Sequence, residues 1–189
     1  MLRKRFLLLF IAAAVGIGLL WIEDYTTAQT QENIESASLL PDYYGEGLRN
    51  RSYTETGMLE REFIASHSIH YPAQQLTQLD DPEVHSVADD GDIWVLKSLL
   101  GFHYEARKTL FLQQDVLVTP FSELSTGTAL QNSIRTTELT LFTEEKLAKT
   151  DKPVEVISLN GQINAVGMII KLDQQKIEFL SQVKARYAQ

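Results

Sequence analysis

The chain has 189 residues, with 17 Lys and Arg against 25 Asp and Glu, a formal net charge of −8 and no cysteine. Such acidity excludes nucleic-acid binding by counterion release, because a polyanion repels the surface instead of recruiting it. The lack of thiols excludes a disulfide framework and a cysteine nucleophile, so stability must come from packing and hydrogen bonding.

The chain opens "MLRKRFLLLFIAAAVGIGLLWIEDY", and Phe6 to Ile22 are 17 residues without a charge. At helical rise that run spans about 26 Å, slightly short of a hydrocarbon core of about 30 Å. Snorkelling Arg3, Lys4 and Arg5 at one end and Trp21 at the other make up the difference. Residues 1–23 therefore read as a retained transmembrane anchor, with the N-terminus cytoplasmic and the remainder exported. The competing reading is a cleavable signal peptide, whose apolar region is usually shorter, about 7–15 residues. Its only small-residue site, Thr26 and Ala28, lies well beyond the run. Ala12, Ala14, Gly16 and Gly18 would let another helix pack closely. The exported part keeps 14 basic against 25 acidic side chains, a net of −11. Any anionic ligand there must be held mainly by its apolar portion.

Residues 24–47, "DYTTAQTQENIESASLLPDYYGEG", are polar and interrupted by Pro41, Gly45 and Gly47, and read as a tether. From residue 48 onward the periodicity is that of strands. In "GMLEREFIASHSIHYP" the odd positions run Leu59, Arg61, Phe63, Ala65, His67, Ile69 and Tyr71, against mostly polar even positions. That alternation predicts a half-buried strand ending at Pro72. Further strands are expected in "DIWVLKS", "FHYEA", "TLFLQQDVLVTP", "TELTLFT", "VEVISL", "INAVGMIIKL" and "KIEFLSQVKARY". Turn signals separate them at Asp90-Gly91-Asp92, "SELSTGT", "KTDKP" and Asn160-Gly161. The last segment also fits a helix, which would group Ile177, Leu180, Val183 and Tyr187. Many short strands predict an all-β domain over 48–189, as an antiparallel sandwich, jelly roll or open barrel. "LFLQQDVLV" from Leu110 and "IEFLSQVKA" from Ile177 share an apolar pattern at an offset of 67 residues, suggesting a stack of like elements.

No catalytic signature emerges. His67 and His70 have opposite parity on a strand and cannot converge on a metal, and "ADDGD" lacks the spacing of a calcium loop. Neither a nucleophile elbow nor a phosphate loop is present. No metal or cofactor is expected.

Three stretches together resemble the LptC family, the single-span component of lipopolysaccharide export. "YTETGMLEREFIASHSIHYP" resembles the family's first strand region, and "DIWVLKSLLGFHYEARKTLFLQQDVLV" its central Trp-containing hairpin and following strand. "SLNGQINAVGMIIKLDQQKIEFLSQVKARY" resembles its C-terminal end, with a Gly–Met turn into two closing strands. The resemblance implies a twisted, open, OstA-like β-jelly roll that admits acyl chains and performs no catalysis. Lipopolysaccharide would come from an inner-membrane ABC transporter with LptF and LptG components and pass to the periplasmic protein LptA. The N-terminal rim would meet the transporter's own jelly roll, and the C-terminal edge strand would meet LptA. Carried over by position, Leu79, Ile177 and Tyr187 fall at lipid-contacting positions, Gly57 at the N-terminal rim, and Gly167 at a glycine where family function is sensitive. Ordinary core or rim packing for the first three, and a positive φ for the glycines, are the alternative readings. Leu79 departs from the aromatic often found there, and "TEEKLAKTDKPVE" is a longer, more charged connection than the family pattern. Two other readings stand beside the shuttle: an anchored scaffold that joins membrane and periplasmic partners without touching lipid, and an anchored hydrolase needing a convergent carboxylate pair.

Overall fold

Period-two alternation of apolar and polar side chains dictates what forms in this chain: strands with one face to bury. The computed structural model describes residues 40–88, 91–120 and 132–187. The expected anchor, most of the expected tether and the "SELSTGT" turn lie outside the described residues. Among the described residues no helix is long and apolar enough to cross a membrane.

Eleven antiparallel strands form one sheet in a jelly-roll-like arrangement. They are β1 (Tyr43–Tyr53), β2 (Leu59–Tyr71), β3 (Leu76–Asp80), β4 (Glu83–Val87), β5 (Ile93–Lys97), β6 (Leu100–Tyr104), β7 (Thr109–Pro120), β8 (Asn132–Phe142), β9 (Leu147–Ser158), β10 (Gly161–Lys171) and β11 (Lys176–Tyr187). β2 stops at Tyr71 because Pro72 lacks a donor, and Pro72–Gln74 turn as a short 3-10 piece. The C-terminal segment is a strand, since pairing along β10 supplies hydrogen bonds that an isolated helix would have to make alone.

The long strands break, and the short ones end or begin, along one line across the sheet. The pairing of β1 skips Gly47, which has φ +64°, and β2 turns from β4 at Ile64 to β3 at His67. Asp81 separates β3 from β4 with φ +49°, and Ser98 and Leu99 separate β5 from β6. In β7 the break is at Gln114 and Asp115, in β8 between Thr136 and Thr140, in β10 at Gly167, and in β11 at Gln182. Backbone bonds stitch the corners: the Leu99 amide donates to the Gln114 carbonyl at 3.0 Å and the Asp81 amide to the Leu99 carbonyl at 3.0 Å. Bulges bend strands sharply, so a row of them folds the sheet upon itself. One half holds the start of β1, the end of β2, β3, β6, the start of β7, the end of β8, the start of β9, the end of β10 and the start of β11; the other holds β4, β5 and the remaining segments. The repeated pattern at Leu110 and Ile177 is this same passage, with Asp115 and Gln182 both left-handed at φ +54° and +52° and 67 residues apart.

Between the halves lies a single core in which Leu79, Leu112, Leu139, Leu141 and Met168 meet Val84, Leu96, Val116, Val118 and Val154. Side chains also join the free margins of the halves. Lys146 Nζ lies 3.3 Å from Glu60 Oε1, and Gln175 Nε2 donates to Asp92 Oδ2 at 2.8 Å.

Three expectations are corrected. β1 opens at Tyr43, inside the stretch read as tether, because its residues pair with β2 although few of them are apolar. "KTDKP" is no turn between strands but the break inside β9, where Pro153 stands opposite Val166 at the edge of a register shift. Gly167 and Met168 likewise form a bulge within β10, not a turn between two strands.

β1 is an outer strand, and charge holds it. Glu62 on β2 accepts from Arg51 Nε at 2.7 Å and from Arg49 Nη1 at 3.2 Å. The Arg51 hydrogen bond is the chief reason that the Glu62 carboxyl sits below its ordinary value. A depressed carboxyl contributes fully above the ordinary carboxylate range and stops contributing as pH falls through the native value. Hydrogen exchange of β1 amides should therefore accelerate, relative to β8, as pH is lowered through that range, and Glu62→Gln should abolish this pH dependence.

Candidate functional site

Where β3, β6 and the start of β7 face β4, the start of β2 and the end of β1, the halves do not close completely. A cavity of about 380 Å³ remains between them. Its floor is Leu79 and Leu110 from one half and Phe63 and Val84 from the other. It reaches the surface beside Tyr43, which is 48% exposed. Around the apolar floor stand Asn50, Ser52, Thr77, Arg61, His103 and Glu105.

Arg61 is there because β2 alternates: it shares parity with Leu59, Phe63 and Ala65, the inward face, while Glu60 and Glu62 point away. Burial lowers its guanidinium from the ordinary value, although it stays charged. Burial also pushes the His103 imidazole down; Glu105 opposes that shift and Arg61 adds to it. Glu105 is engaged elsewhere, with Oε1 3.2 Å from His70 Nε2 and receiving the Thr77 hydroxyl at 3.4 Å. On the opposite side of its ring His70 Nδ1 lies 2.6 Å from Asp42 Oδ1, while Tyr43 stacks on it at 4.8 Å. These contacts secure the beginning of β1 beside the mouth. His67 faces outward near Asp80, so the two histidines of "HSIH" do part.

Beyond the cavity the interior is packed. Leu112, Val116, Val118, Leu139, Met168 and Ile170 are each 1% exposed or less, so the open space stops before β10.

Only one of the three expected lipid-contacting residues reaches the cavity. Leu79 lines it and belongs to the buried core at 1% exposure. Ile177 is half-buried opposite Ile170, and Tyr187 is 82% exposed opposite Gly161. Both lie on β11, which has no strand on its outer side among the described residues. Leu180, Val183 and Tyr187 are exposed along it, and Tyr43, Tyr44 and Tyr53 along the opposite outer strand β1. Gly57 lies in the β1–β2 turn at φ +84°, with open space where a Cβ would be, so only its backbone demands glycine. Gly167 has φ +79°, and a Cβ there would come within 2.9 Å of Leu180 Cδ1 on β11. Arg61 and His103 were not singled out in the sequence. For Arg61 the signal was its charge on an apolar face; for His103 nothing local distinguished it.

A family model described as lipopolysaccharide-assembly, LptC-related, matches residues 6–188. The chain belongs to the LptC family. No curated protein matches it in sequence. Membership assigns the chain to lipopolysaccharide transport. Within that assignment the geometry of the described residues offers a partly apolar cavity and two strand edges, on β1 and β11, that pair with no other described strand.

Gly167 couples the bend of β10 to the seating of β11. An alanine there takes on left-handed strain of about 1–3 kcal/mol as well as the Leu180 contact. Gly167→Ala should speed exchange of β11 amides while leaving β2 and β3 protected. Adding Leu180→Ala should recover the steric share and leave the backbone share.

Proposed function

We propose that the protein is a single-span inner-membrane component whose periplasmic, twisted open β-jelly roll receives lipopolysaccharide from an ABC transporter and hands it to LptA. The cavity between the sheet halves carries this reading. Each buried acyl CH₂ contributes about 0.8 kcal/mol, so an apolar floor between β-layers holds an amphiphile despite the net negative charge of the domain. β1 would take the jelly roll of the LptF and LptG components along its outer side. β11 would add LptA edge to edge, with Leu180, Val183 and Tyr187 as apolar anchors. Leu79 would contact lipid in the cavity, and Ile177 and Tyr187 at the point of handover. Gly57 and Gly167 would serve by holding the N-terminal turn and the bend that seats β11. Residues 1–23 would anchor the domain, with 24–42 as the tether. Nothing in this transfer makes or breaks a covalent bond, and no cofactor is called for.

Transfer along the interior requires the packed side chains between β7 and β10 to part. That packing favours the second reading, an anchored scaffold that never holds lipid.

A photo-crosslinking residue placed in cells at Phe63, Leu79, Ile177 or Tyr187 should trap lipopolysaccharide, while one at outward-facing Arg135 should not. Equal yields at inward and outward positions would reject the shuttle. The chain without residues 1–23 should still bind lipopolysaccharide in solution if it is a shuttle, and should fail to do so if it is a scaffold.

A further inference from the structure

The apolar floor explains how an acyl chain is held but not why a cation borders it. Arg61 makes no ion pair or hydrogen bond among the described residues. The nearest acids are already committed: Glu60 to Lys146 at 3.3 Å, Glu62 to Arg51 at 2.7 Å, and Glu105 to His70 at 3.2 Å. Only the through-space charge of Glu60 supports this partly desolvated guanidinium, which is costly to keep unless a ligand supplies a closer counter-charge. Across the cavity stands His103, also without a hydrogen bond among the described residues and close enough to feel the charge of Arg61. Two cationic or potentially cationic groups thus face one space, with the amide of Asn50 and the hydroxyl of Ser52 beside them; the one carboxylate of the lining, Glu105, also acts on His103 but is held by His70 at 3.2 Å.

We propose that Arg61 and His103 form a subsite for the phosphate of an amphiphile whose acyl chain lies against Phe63, Leu79, Val84 and Leu110. The inference rests on the lipid-binding reading above and specifies which end of the lipid goes where. A guanidinium fork, an imidazole N–H and two neutral donors suit the several oxygens of a phosphate better than the two of a carboxylate. The apolar residues lie behind these groups, so the headgroup faces the mouth and the tail points inward. The binding is noncovalent and moves no electrons. In an acidic domain this local pair is what distinguishes a phosphorylated lipid from a neutral one.

The test uses the full chain held in a non-ionic amphipol and fluorescent monoacyl probes of one chain length: a glycerol phosphate, the same glycerol without phosphate, and the free fatty acid. The phosphorylated probe should bind about tenfold or more tightly than the neutral one. Arg61→Met should remove most of that advantage and leave the neutral probe unaffected, Arg61→Lys should keep part of it, and His103→Gln should reduce it. Circular dichroism of each variant confirms that the strands remain. Equal binding of phosphorylated and neutral probes by the unaltered chain would overturn the subsite, as would a preference that survives in Arg61→Met. Fatty acid binding as tight as the phosphorylated probe would also overturn it, and so would inorganic phosphate competing at probe concentrations, which would mean a site for the free ion. Equal binding of the phosphorylated and neutral probes by the unaltered chain sinks this inference alone. Failure of every probe, together with absent lipopolysaccharide crosslinking at Phe63, sinks the lipid-binding reading and the subsite with it.

Discussion

The structure depends on a geometric constraint: a sheet with one apolar face must hide that face, and here it does so by folding along a single line of backbone breaks. Gly47, Asp81, Gln114, Asp115, Gly167 and Gln182 all take positive φ on that line, although four of the six are not glycine. Left-handed backbone costs a non-glycine residue on the order of 1 kcal/mol, and it persists because the ladders on both sides over-determine it. What the strain secures is the face-to-face approach that lets Leu112, Leu139 and Met168 lose nearly all contact with water.

Folding in this way leaves two consequences at the margins. Among the described residues the sheet ends in strands that have nothing beyond them, β1 and β11, each carrying exposed large apolar or aromatic side chains. Unpaired edges of that kind invite strand addition, and in a family devoted to lipopolysaccharide transport they are natural docking sites for other β-domains. The halves also need not meet equally well along the whole fold. They pack tightly from β7 to β10 and part near β1, β2, β3 and β6, where the cavity lies.

Charge has a local role in this acidic protein. Most basic side chains are matched with carboxylates on the outside, as Arg49 and Arg51 are with Glu62, and Lys97 with Glu83 at 2.9 Å. Arg61 is distinguished by parity: one place along β2 from Glu62 is enough to turn it from that outer network to the apolar interior. The cavity is therefore apolar at its floor and polar at its mouth, the polarity an amphiphile requires.

Much of this was legible in the sequence. Alternation located β2, with its end at Pro72, and the limits of β7, because side chains on a half-buried strand must obey a period of two, whereas for β11 periodicity left a helix equally open. The stretches around Gly57, the central Trp94 and Gly167 pointed to the family. β3 and β4 escaped notice because five-residue strands give too few alternations to stand out, and β1 because its outer position lets it be mostly polar. What only the tertiary structure decided is which residues share the interior. Leu79, Phe63, His103 and Arg61 come from three strands and meet because the breaks bring two halves of one sheet together, while Ile177 and Tyr187, in the same sequence pattern, are carried to a free edge. Local periodicity assigns a residue to a face; the line along which the sheet folds assigns that face its neighbours.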